Sequence, residues 1–131
     1  MSRYMGLFKK RRDDEPVDMN ERSPQLGVKY KDLAVLGQLM KAGADLTQPR
    51  HVIFYSYAPS EDVGRSMARE AEARGYAAAV REPLAQLPDK WSVVCEITTV
   101  TSPDFVRDAD DFFQALADNN EAEYDGWEAS L

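Results

Sequence analysis

Trp91-Ser92-Val93-Val94-Cys95-Glu96-Ile97-Thr98-Thr99-Val100 reads as a strong β-strand. Its alternate positions Trp91, Val93, Cys95 and Ile97 form an apolar face opposite Ser92, Val94, Glu96 and Thr98. A run of similar strength lies upstream, His51 to Ala58, where nearly every residue is a β-former and both faces are apolar or aromatic. Such a run suits a central strand, and Pro59 ends it. Two weaker runs accompany this pair. The Ala-rich Tyr76 to Arg81 and the C-terminal Glu121 to Trp127 read as edge strands. Strict alternation from Tyr124 would send Tyr124, Gly126 and Glu128 to one face and Asp125 and Trp127 to the other. A glycine inside a strand marks a bulge or a close backbone approach.

Helical periodicity fills the gaps between these strands. Before the first strand, Leu33, Leu36, Met40 and Gly43, with Leu39 beside them, predict an amphipathic helix over about 31–42 that Gly43 stops. Ser60 caps a helix over 61–74 whose Val63, Met67 and Ala71 face inward before Gly75. Ser102 with Pro103 opens the last helix, where Phe105, Ala109, Phe112, Phe113 and Leu116 make the cleanest apolar stripe of the chain. After the first helix the order is β-α-β-β-α-β, which predicts an α+β, ferredoxin-like βαββαβ antiparallel sheet with an additional N-terminal helix. The first and third strands are then central and the second and fourth are edges. The added helix is expected over an end or the second face of the sheet.

At 131 residues the chain has room for one core without disulfides or metal. Residues 1–26 read as a disordered tail, basic then acidic, and residues 27–131 as the single ferredoxin-like domain. The formal net charge is −7 and is unevenly spread: residues 1–12 carry +5, whereas Asp104 to Glu128 hold nine acids against Arg107 alone. So acidic a body repels phosphate backbones, so direct nucleic-acid binding is disfavoured and a basic protein partner is favoured. The single Cys95 fits a reducing compartment, and no run has the length of a membrane span. A cytoplasmic protein is expected.

No catalytic constellation stands out, and no cofactor or metal is expected. His51 is the only histidine, and Cys95 sits on an apolar strand face as a small buried hydrophobe. Asp108, Asp110 and Asp111, with Asp118, Glu121 and Glu123, match no calcium-loop spacing and read as a solvated acidic helix face. Asp108, Asp111 and Asp118 are nevertheless candidates for docking a basic segment. Tyr55, Tyr57 and Thr98 are expected on the sheet face away from the crossover helices, where aromatics of some RNA-binding domains stack bases. The charge argues against that use, and cover by the first helix or a dimer contact is the expectation. The edge strands at Tyr76 and Tyr124 leave a homodimer open.

From about Asp32 to Glu128 the chain resembles the regulator of ribonuclease E activity B family. The resemblance is carried by Leu36-x-x-Leu39-x-x-x-Gly43-x-Asp45, Pro49-Arg50-x-Val52-x-Phe54-Tyr55, Gly75-Tyr76 and, most specifically, Tyr124-Asp125-Gly126-Trp127. It implies a ferredoxin-like, non-enzymatic protein that inhibits RNA processing through contacts with the scaffold portion of a ribonuclease E-type enzyme. Tyr124, Asp125 and Trp127 join the acidic candidates as possible contact or structural residues. An immunity-like binding module with an unrelated protein partner is the alternative.

Overall fold

The computed structural model describes residues 18–131, which run α1 (Tyr30–Lys41), β1 (Pro49–Ala58), α2 (Glu61–Ala73), β2 (Ala77–Arg81), β3 (Trp91–Val100), α3 (Pro103–Asn119) and β4 (Glu123–Ala129). The two strongest strands of the sequence are the two central ones. β1 and β3 pair antiparallel along their whole lengths, from Pro49 opposite Val100 to Ala58 opposite Trp91. β2 joins the free side of β3 and β4 the free side of β1, both antiparallel, so the order across the sheet is β2-β3-β1-β4. The basic block of residues 1–12 lies outside the described residues.

The helices start where local chemistry allows. Ser60 Oγ accepts from the Val63 amide at 3.2 Å and Ser102 Oγ from the Phe105 amide at 3.1 Å, each satisfying one orphan N–H of a first turn. α2 and α3 cover one face of the sheet. Between them and the strands lie Val52, Phe54, Ala58, Met67, Ala71, Val93, Cys95, Phe113 and Leu116, all buried. Phe54 stacks on Phe113 at 4.5 Å, and Tyr76 meets the Phe113 ring edge-on at 5.0 Å. Contacts of this type add about 0.5–1.5 kcal/mol each beyond the area they bury.

α1 does not take the second face of the sheet. Its Leu36 and Leu39 pack with Val28 and with Val106 of α3, against Phe105, Trp127 and Ala129. It therefore extends the helical layer beside α3, and the tyrosine face of the sheet has no helix of the described residues over it. The expectation that α1 shelters Tyr55 and Tyr57 is corrected accordingly. Met40, read as part of the α1 stripe, is 62% exposed, because the inward face turns through Asp32, Leu36 and Leu39 instead.

The described end of the presumed tail is also attached to the body. The Ser23 amide bonds the Val28 carbonyl at 2.8 Å, Arg22 bridges to Lys29, and Ser23 and Val28 are buried. This short return holds the chain against the start of α1, where the Lys31 amide donates to the Met19 carbonyl at 2.9 Å.

Candidate functional site

The acidic helix face is real but smaller than the sequence suggests. Asp108, Asp111 and Asp118 are exposed on α3, and their spacing places them within about 80° of one another around an ideal helix. Arg107 ties Asp108 and Asp104 together at 3.0 and 3.1 Å. Asp111 is held by Arg22 at 2.6 Å, and Asp118 accepts from the Gln114 amide at 3.0 Å. Asp110 does not belong with them. Its side chain is 2% exposed and meets Lys29 at 2.9 Å and Arg22 at 3.4 Å. The reading of Asp110 as a solvated charge is therefore corrected: it is a buried anchor between α3 and the residues that precede α1.

The Tyr124–Trp127 motif divides between two faces. β4 pairs Trp127 with Phe54, Gly126 with Tyr55 and Tyr124 with Ser56, so one extra residue, Asp125, sits in a bulge opposite the Tyr55/Ser56 step. Partners across a ladder share a face. Tyr124 and Trp127 both point into the helical layer as a result, whereas Asp125 and Glu128 lie with Tyr57 and Tyr55 on the open face. The strict alternation expected of this strand fails at the bulge, where Gly126 holds φ at +112°. Tyr124 stacks on Phe113 at 5.8 Å, and Trp127 Nε1 donates to Asp32 Oδ1 at 2.9 Å. The six candidates thus occupy three places: Asp108, Asp111 and Asp118 on α3, Tyr124 and Trp127 inside, and Asp125 on the open sheet.

Asp32 completes a polar seam where α1, α3 and β4 meet. It is 2% exposed. Burial pushes its pKa above the ordinary carboxylate value, partly countered by the Trp127 hydrogen bond and by Lys31. The Tyr124 hydroxyl is buried without a hydrogen-bond partner among the described residues, and burial with the nearby Asp110 and Asp32 charges pushes its pKa well up. Sequence reading missed Asp32 as a buried group, though the signal was present. Asp32 lies four residues before Leu36 and seven before Leu39, on the inward stripe of α1, just as Asp110 lies four after Val106 and three before Phe113.

The remaining reactive side chains offer less. Cys95 is buried and its thiol is pushed up to about 12, chiefly by burial, which leaves it protonated and inert near neutral pH. His51 Nε2 lies 2.7 Å from Glu96 Oε1, both side chains partly exposed, at the rim of a depression that also includes Ile53, Glu128, Ala129 and Ser130. A histidine beside a carboxylate is half of a hydrolytic arrangement. Ser130 Oγ accepts from the His51 backbone amide at 3.2 Å, but among the described residues no hydrogen bond joins this hydroxyl to the His51 ring, so the nucleophile–base contact is missing. An apolar groove of about 590 Å³ runs between α1 and the β3–α3 turn, lined by residues such as Leu33, Met40, Leu46 and Val100 and by no titratable side chain. Among the described residues no group of three or more His, Cys, Asp or Glu is placed to hold a metal ion, and no helix is long and apolar enough to cross a membrane.

A family model described as Regulator of ribonuclease activity B matches residues 30–129, from the first residue of α1 to the last of β4. No curated protein matches the chain.

Proposed function

The chain belongs to the regulator of ribonuclease activity B family, and we propose that it is a non-enzymatic, cytoplasmic regulator that inhibits a ribonuclease E-type endoribonuclease through protein–protein contacts. The family match carries this reading, because it spans every helix and strand of the domain. In the same reading the order β2-β3-β1-β4, with both crossover helices on one face, is the ferredoxin-like arrangement, and α1 is an addition to it. The charge balance supports a protein partner over RNA, since α3 and β4 concentrate acids that repel phosphates and attract a basic segment.

Within this reading the exposed acids Asp108, Asp111 and Asp118 steer the partner. Tyr124 and Trp127 act from inside, by holding α1 and β4 in place. An immunity-like module with a different basic partner would use the same acidic face. Two measurements separate the readings: binding of the purified full chain to the ribonuclease E homologue of its own source, and a parallel capture against unrelated basic proteins. Binding of the ribonuclease at micromolar concentration or tighter is expected. Its absence, with capture of another partner, would replace the ribonuclease by that partner.

A further inference from the structure

On the open face of the sheet, β1 and β4 set two tyrosines against two carboxylates. Tyr55 donates to Glu128 Oε2 at 3.0 Å, and Tyr57 donates to Asp125 Oδ2 at 3.4 Å. Both rings are half-buried, and Val94 of β3 lies directly across from Tyr55. Two further acids near this face already have side-chain partners, Glu96 bonded to the His51 imidazole at 2.7 Å and Glu123 paired with Lys90 at 2.6 Å. Glu128 and Asp125 form no ion pair among the described residues; their carboxylates accept only from the tyrosine hydroxyls there. The space beside Tyr55 is also open at its neighbour across the ladder, Gly126, where an added Cβ would meet nothing within 4 Å.

We propose that this face docks an extended segment of a partner protein bearing arginines at alternate positions. A guanidinium stacks on an aromatic ring and bonds a carboxylate at once, which Lys does less well. Tyr55 and Tyr57 stand two residues apart on one strand, roughly 6.6–6.8 Å, and that is also the same-side repeat of an extended peptide. The bulge at Asp125 makes the match possible. Without it Asp125 and Glu128, three residues apart, would face opposite ways; with it, one acid stands beside each ring. The carboxylates bonded to both rings set this surface against stacked nucleotides, although the charges of Arg81 and Lys90 also reach Tyr55 and Tyr57. The proposal shares with the function above only a protein partner; it does not require that partner to be a ribonuclease.

The test is a titration of the full chain, nitrogen-labelled for amide resonances, with the blocked peptide Thr-Arg-Thr-Arg-Thr. Controls are Thr-Thr-Arg-Arg-Thr, which an extended backbone splits between two faces, and a short single-stranded oligouridine. Shifts should concentrate at the amides of Tyr55, Tyr57, Gly126 and Glu128, and the adjacent-arginine peptide should bind several-fold more weakly. The double variant Asp125→Asn with Glu128→Gln, both exposed, should weaken the alternating peptide by about tenfold. Shifts confined to α3, equal affinity for the two peptides, unchanged affinity of the variant, or tighter binding of the oligouridine at these amides would each overturn the assignment. Failure with the ribonuclease leaves this result standing, and failure with the peptides leaves the ribonuclease reading standing.

Discussion

Asp32 is a carboxylate placed where charge is disfavoured, with one oxygen bonded to Trp127 and the other without a hydrogen-bond partner among the described residues. Folding raises its pKa above 3.8, so the folded chain binds this proton more tightly than the unfolded chain does. The sign follows from linkage: the contribution of Asp32 to stability falls as pH rises from 3.8 through the raised folded value, and stays low above it. Asp32→Asn keeps an acceptor for the indole N–H and removes the charge. It is therefore predicted to raise the urea midpoint at neutral pH, with the gain shrinking as both proteins are brought to about pH 3. A variant less stable than the parent at neutral pH would mean that attraction to Lys31 and Lys29 outweighs the burial. Sequence spacing could have located this residue, since it shares a helical stripe with Leu36 and Leu39. The identity of its partner could not be read, because the indole that bonds it lies 95 residues away. A contact so distant in the chain leaves no local pattern.

At the scale of elements, the apolar patterns of β1 and β3 and the caps of α2 and α3 were legible because they are local: alternation, a serine, a proline. The bulge in β4 was half legible. Gly126 signalled an irregularity, but a single inserted residue reverses the facing of every side chain beyond it, and strict alternation then misplaces Tyr124 relative to Trp127. Gly126 is the residue this geometry depends on. Its φ of +112° strains any side chain, while the space around a new Cβ is empty. Gly126→Ala should thus destabilise through the backbone alone, by about 1–3 kcal/mol, read as a lower urea midpoint with an unchanged slope. A loss within a few tenths would show that β4 tolerates a regular register there. The position of α1 was not legible, because an amphipathic stripe says that a helix is covered and not by which neighbour.

Charge acts at the scale of the whole molecule. The net −7 is concentrated on α3 and β4 at one end of the sequence, with Asp108, which shares Arg107 with Asp104, and Asp118, which has no ion pair among the described residues, projecting from α3. Lysine at Asp108, Asp111 and Asp118 is predicted to slow association with the basic partner by about tenfold and to flatten its salt dependence. Asp111→Lys also breaks the pair with Arg22 and Asp108→Lys the pair with Arg107, so the Asp118 replacement alone separates steering from the loss of a local ion pair. Unchanged association rates would remove α3 from the interface. The most direct measurement is RNA cleavage by the ribonuclease E homologue of the same source, followed as the full chain is titrated in. Inhibition through binding requires that cleavage slow saturably, with a midpoint equal to the dissociation constant of the complex. Full-rate cleavage at concentrations that saturate binding would contradict it.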